Sequence, residues 1–167
     1  MYAAIHTPEF PAVSSSGHAA LLDCASAFSP RVEDTSANTV LLDIEGLDRL
    51  FGSTAELAQQ LKRQLSELGL MANVAIASNP DAAECASRGF AGITVIDAGT
   101  EAKRLKDLRI DFLPMDQETD AETLDTLRRW GIHTFGDLAR LPVKSLDRKS
   151  TRLNASHSDR SRMPSSA

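Results

Sequence analysis

The sequence predicts an α+β fold: one mixed sheet with flanking helices, followed by a small helix-hairpin-helix element. Three observations carry this prediction. Over residues 1–108, strand and helix patterns alternate as strand, helix, strand pair, helix, strand, helix, strand, helix, the arrangement of a sheet covered by helices. The strand pair, over residues 32–35 and 39–44, is joined by an uncharged turn, Ser36-Ala37-Asn38-Thr39. Residues 121–141, "AETLDTLRRWGIHTFGDLARL", then form a separate unit with a glycine between two short helical patterns.

The elements follow in order. Tyr2–His6 reads as a strand, stopped by Pro8 and Pro11. The run Ser14-Ser15-Ser16-Gly17 reads as flexible linker, and residues 19–28 as a helix ended by Pro30. On the strand over 39–44, Val40 and Leu42 face one way and Leu41, Asp43 and Glu45 the other. Ser53-Thr54-Ala55-Glu56 is a capping box. Its helix carries Leu57, Leu61, Leu65 and Leu68 on one apolar face and ends at Gly69. Asn73–Ala77 is the next strand, and Asn79-Pro80 opens a helix as N-cap and first helical residue. A strand over 93–96 and a helix over 101–108 complete the sheet unit. In the last unit, Thr119-Asp120-Ala121-Glu122 resembles a second capping box, and the helix that follows turns Leu124, Leu127 and Trp130 inward. Gly131 permits the turn. The N–H groups that open the helix over 135–141 are expected to face a DNA phosphate. The residues expected at this contact are Gly131, Ile132, His133, Thr134 and Gly136, with Arg128, Arg129, Arg140 and Lys144 making the region locally basic. The division expected is 1–110 for the sheet unit, 111–146 for the helical hairpin and 147–167 for a tail.

Composition bounds the rest. The 167 residues suit one domain, or one with a small appendage, and 42% hydrophobic with 25% charged content is that of a soluble globular chain. No apolar run approaches the ~20 residues that span a bilayer, and the N-terminus lacks the layout of a signal peptide. A cytoplasmic chain without a membrane partner is expected. Cys24 and Cys85 are far apart in Ala-rich helical patterns and read as reduced, buried thiols without metal-ligand spacing. The net charge of −5 is uneven: residues 147–167 hold five Lys/Arg against two Asp/Glu, a net of +3, which leaves −8 on residues 1–146. That balance is a poor footprint for holding DNA by phosphate contacts alone, so DNA binding would need a local device. The tail "DRKSTRLNASHSDRSRMPSSA" resembles read-through translation of a sequencing adaptor, with Ala155 the one departure, and is set aside from functional reasoning. On that reading the natural chain continues differently past Leu146.

The stretch "FSPRVEDTSANTVLLDIEGLDRLFG" resembles the palm of Y-family (UmuC/DinB-like) translesion DNA polymerases. Ser29-Pro30, Val32-Glu33, Ser36, Leu42-Asp43-Ile44 and Gly46 carry the match. "VAIASNPDAAECAS" with "GITVI" resembles the family's next strand, helix and strand, and "LRRWGIHTFGDLARLP" resembles its thumb hairpin. The resemblance implies a palm followed by a thumb fragment. It implies as well that the fingers are deleted near residues 14–17, where only "SSSGHAALLDCASA" fills their space, and that the little finger is missing.

In that family, acidic residues hold two Mg²⁺ ions, hard cations that take oxygen ligands. The matching positions here are His6, Asn38 and Thr39, so none supplies a carboxylate. The family's Asn-Lys-x-x-Ala-Lys segment reads Asn79-Pro80-Asp81-Ala82-Ala83-Glu84, with both lysines gone, and the lysine before "GITVI" has no counterpart in "SRGFAGITVI". This set of losses, with the opening "AAIHTPEFP", is closest to ImuB-like proteins. These are polymerase homologues without a working site that act as DNA- and protein-binding scaffolds in damage-induced mutagenesis. The resemblance implies no catalytic residue, no metal and no cofactor. It implies as partners the primer-template backbone and, for the intact protein, a sliding clamp, a replicative-type polymerase and an accessory mutagenesis subunit. The alternative is a fragment of an active Y-family polymerase that uses Mg²⁺ on displaced acids such as Asp34, Asp43 or Glu45. A third possibility is a helix-hairpin-helix DNA-binding module unrelated to polymerases.

Overall fold

Strand alternation decides which helix each face of the sheet receives. The computed structural model describes residues 1–8, 15–114 and 120–141. Its strands are β1 (Tyr2–His6), β2 (Val32–Ser36), β3 (Thr39–Asp43), β4 (Asn73–Ala77) and β5 (Ile93–Val95). They form one sheet in the order β2-β3-β1-β4-β5. β1 runs antiparallel to both of its neighbours, and β4 and β5 are parallel. The helices are α1 (Ser15–Phe28), α2 (Asp48–Phe51), α3 (Thr54–Glu67), α4 (Pro80–Gly89), α5 (Glu101–Leu105), α6 (Asp120–Arg129) and α7 (Phe135–Ala139), with a 3₁₀ turn at Ile110–Phe112.

Ala3, Ile5, Val40, Leu42, Val74 and Ile76 point to one face and pack under Leu21, Cys24 and Ala25 of α1 and Leu57, Leu61 and Leu65 of α3. Ala4, Leu41, Ala75 and Ala77 point to the other face and meet Ala82, Ala83, Cys85 and Ala86 of α4. The side chains of that second layer are mostly small, so α4 lies close on the sheet. Gly89 at its end passes against Leu108, where a Cβ would come within 2.5 Å of a Leu108 methyl carbon. A third, smaller cluster joins Ile110, Leu127 and Ile132.

The capping signals act as read. Ser53 and Glu56 exchange side-chain and backbone bonds at the start of α3, and the Asn79 side chain caps α4 with Pro80 in its first turn. Four expectations change. Ser15–Gly17 are not linker but the first turn of α1, which starts before residue 19. His18 ties that turn to the β2–β3 hairpin, bonding the Ala37 carbonyl at 3.0 Å and the Asp34 carboxylate at 2.9 Å. α5 ends at Leu105 rather than 108, because the chain turns to bridge Arg109 with Thr134.

The other two changes share one cause. Leu68 and Trp130 are 51% and 52% exposed, not packed inward. Each is the last residue before a left-handed glycine, Gly69 (φ 74°) or Gly131 (φ 77°). In both helices the residue after the glycine folds back: Leu70 N donates to Leu65 O at 2.8 Å, and Ile132 N donates to Leu127 O at 3.0 Å. This is the Schellman closure, which buries the residue past the glycine in place of the one before it. Ser14, Pro11, Thr119, Lys144 and the tail lie outside the described residues.

Candidate functional site

His6, Asn38 and Thr39 meet at one end of the sheet. The β1–β3 register sets His6 opposite Thr39, and His6 Nδ1 lies 2.9 Å from Thr39 Oγ1. Thr39 is fully buried. Thr7 N donates to Asn38 O at 2.9 Å and locks the hairpin turn to the end of β1. The Asn38 side-chain oxygen is buried without a partner among the described residues. Burial, and then the charge of Arg88, lower the His6 pKa to about 4, against a smaller opposing bond from the Asn38 backbone. At neutral pH the imidazole is therefore uncharged. A neutral imidazole, a hydroxyl and an amide make a poor donor set for Mg²⁺, which binds through carboxylates and phosphates.

Arg88 was not expected at this end of the sheet, whereas Glu84 was already singled out as standing where the family has a lysine. They sit one turn apart on α4, with Arg88 Nη2 2.5 Å from Glu84 Oε1 and side chains only 21% and 10% exposed. Arg88 Nε is buried without a partner among the described residues. The Glu-x-x-x-Arg spacing on an otherwise Ala- and Ser-rich helix was the available signal.

The acids proposed as substitutes do not converge. Asp34 pairs across the hairpin with Val40 and Asp43 pairs with Tyr2, so the two project from opposite faces. Asp34 bonds His18. Asp43 is held by Arg31 at 2.7 Å and caps the Glu45 amide at 3.0 Å. Asp43 also lies four residues along β3 from Thr39, about 13 Å at strand rise. Among the described residues no three His, Cys, Asp or Glu side chains group to hold a metal. Cys24 and Cys85 are free and buried, and burial pushes the Cys85 thiol up to about 12, a non-nucleophilic state.

The hairpin residues lie together, about α6, α7 and the Arg109–Asp111 segment. Gly131 makes the turn. Ile132 is buried in the small core, while His133 is exposed. Thr134 caps α7, and Asp137 returns the bond. Asp137 Oδ2 accepts from the Thr134 hydroxyl at 2.9 Å and from the amides of His133 and Thr134 at 3.3 and 3.1 Å, and these bonds, the hydroxyl's foremost, hold its pKa low. Phe135 N and Gly136 N donate to Leu108 O and Lys106 O. The amides of this turn thus have internal acceptors. A cleft of about 290 Å³ opens beside it, lined by Arg109, Asp111, Arg128, His133 and Thr134 among others. The expected basic character is offset: Arg128 pairs with Asp111, Arg129 with Asp125 and Arg140 with Asp137.

Residues 4–88 match the model of the impB/mucB/samB family. That segment runs from β1 to Arg88. A DNA polymerase IV of Dehalococcoides mccartyi is 34% identical over 124 residues, which are 72% of this chain and 31% of that protein. Protein ImuB of Caulobacter vibrioides is 28% identical over 139 residues, 83% of this chain and 30% of that protein. The chain thus spans about a third of the length of these relatives. A DinB-family error-prone DNA polymerase from Sulfolobus solfataricus shares the fold with a TM-score of 0.59 at 21% identity, covering 83% of this chain and 43% of that structure.

Proposed function

This chain belongs to the impB/mucB/samB family, within the Y-family polymerase superfamily, and from that premise we propose that it is part of a non-catalytic member of the ImuB type. In this reading the palm is a scaffold for DNA and protein in translesion synthesis. The observation that carries it is the donor set at the end of the sheet: neutral His6 against Thr39, with Asn38 in the turn. Two-metal phosphoryl transfer needs carboxylates to hold the ions that activate the attacking oxygen and steady the leaving group. The residues here do not fit Mg²⁺.

DNA contact belongs to the same proposal, through the turn at Gly131, Ile132, His133, Thr134 and Gly136. Because the turn amides are already bonded, that contact falls to exposed side chains such as His133 and to those arginines that exchange an internal acid for a phosphate. A sliding clamp, a replicative-type polymerase and an accessory subunit are proposed for the intact protein. None of the helices among the described residues is long and apolar enough to cross a membrane, and a cytoplasmic site of action is proposed with the rest.

The alternative of an active polymerase draws on relatives named DNA polymerase IV. Primer extension separates the two. With Mg²⁺, all four deoxynucleotides and a primer-template, the intact protein is expected to leave the primer unextended. Extension that disappears in Asp43→Asn, with DNA binding retained, establishes the active reading instead.

A further inference from the structure

We propose that Arg88, anchored by Glu84, makes this end of the palm reject divalent cations, by holding a positive charge at the level of the His6–Thr39 pair. The inference rests on the non-catalytic reading and names the group that enforces it.

Topology places Arg88 there. β4 runs from Asn73 to Ala77, and α4 follows after Asn79 and packs back over the same strand. The C-terminal turn of α4 therefore returns to the Asn73 end. Asn73 is the register partner of His6, and Asn73 Oδ1 accepts from Gly92 N just beyond the helix at 2.9 Å. His6 lies on the same face of β1 as Ala4, the face that α4 covers. Arg88, in that last turn, is thus level with the His6–Thr39 pair and on its side of the sheet. Glu84 lies one turn back, about 6 Å further along the helix, and its carboxylate holds the guanidinium at 2.5 Å. The lowered His6 pKa agrees, since Arg88 contributes to it and Glu84 does not appear among its causes.

The pair is also set for a fixed position. Both side chains are largely buried, and their neighbours Ala83 and Ser87 are fully so. A buried ion pair offers little net stability over apolar residues of similar size, so its presence calls for another role. Held there, the guanidinium opposes a cation before any ligand is considered. Replacing His6, Asn38 and Thr39 with acids would then give Arg88 new partners rather than give a metal a site.

The test places carboxylates at those three positions in two backgrounds. The chain His6→Asp/Asn38→Asp/Thr39→Glu is compared with the same chain carrying Glu84→Gln/Arg88→Gln, which removes the pair without stranding a charge. Mn²⁺, a paramagnetic stand-in for Mg²⁺, is titrated by water-proton relaxation. At least tenfold tighter binding in the background without the pair is expected. Equal binding in both backgrounds, or binding in neither, overturns the role of Arg88. Mn²⁺ binding and primer extension by the unaltered chain overturn the non-catalytic reading itself. If the three-acid chain does not fold, the near-isosteric Asn38→Asp carries the comparison by NMR. Its carboxyl pKa is expected to rise by at least half a unit when the pair is removed, and an unchanged value again overturns the proposal.

Discussion

His6 shows how strongly burial and one neighbouring charge act on a single side chain. Its ring touches the hydroxyl of a fully buried threonine, and burial with the Arg88 charge takes its pKa from the ordinary 6.5 to about 4. Between those values an unfolded chain takes up a proton that the folded chain refuses. His6 therefore contributes its full stability above about pH 6.5 and loses it as the pH falls towards 4. Discounted for the solvent its partly exposed ring still meets, the effect is about 1–2 kcal/mol. Urea midpoints measured from pH 7 to 4 should decline more steeply in the parent than in His6→Gln. Equal slopes would mean that the imidazole is not held neutral. That positions 6, 38 and 39 carry no carboxylate was legible in the sequence. The coupling of His6 to Arg88 was not, because 82 positions separate them in the chain and only the β1–β4 register joins them.

Elements were read well where a local signal ends them and less well where a chain reversal decides burial. The capping box at Ser53 and the Asn79-Pro80 start needed only neighbouring residues and were legible. Leu68 and Trp130 continue the apolar period of their helices, so helical spacing assigned them to the core. The left-handed glycine that follows each one stops that period and brings Leu70 or Ile132 into the slot instead. The pattern has a measurable consequence. Leu70→Ala and Ile132→Ala should each destabilise the chain by about 2–4 kcal/mol, as for large apolar residues lost from a core. Leu68→Ala should change stability by less than about 0.5 kcal/mol. Urea unfolding followed by circular dichroism reads both. Trp130, the single tryptophan, should be readily quenched by acrylamide in the folded state. A large cost at Leu68, or a shielded Trp130, would restore the inward reading of the helical period.

At the scale of the whole molecule, the strand and helix order was legible, while the sheet order and the pairing of surface charges were not. Alternation gives a sheet under helices, but it does not say that β1 is central or that α4 returns over His6. Nor does a count of arginines say how many are free. The sequence of the hairpin suggested a basic face. In the fold, Arg128, Arg129 and Arg140 each meet an aspartate, within residues 1–146 whose net charge is −8. DNA that binds such a surface must compete with those aspartates for each arginine and releases few counterions. For B-DNA the logarithm of affinity falls with the logarithm of salt concentration at about 0.9 per phosphate neutralised. A slope of about −1 to −2 is therefore expected for this chain on primer-template DNA, read by fluorescence anisotropy from about 25 to about 200 mM salt. Gly131→Val should weaken the binding several-fold at low salt, because a β-branched residue is strained at the positive φ of this turn. A slope of −5 or steeper would require a set of unpaired cations that the described residues of the hairpin do not present. An unchanged affinity in Gly131→Val would move DNA contact away from the hairpin altogether.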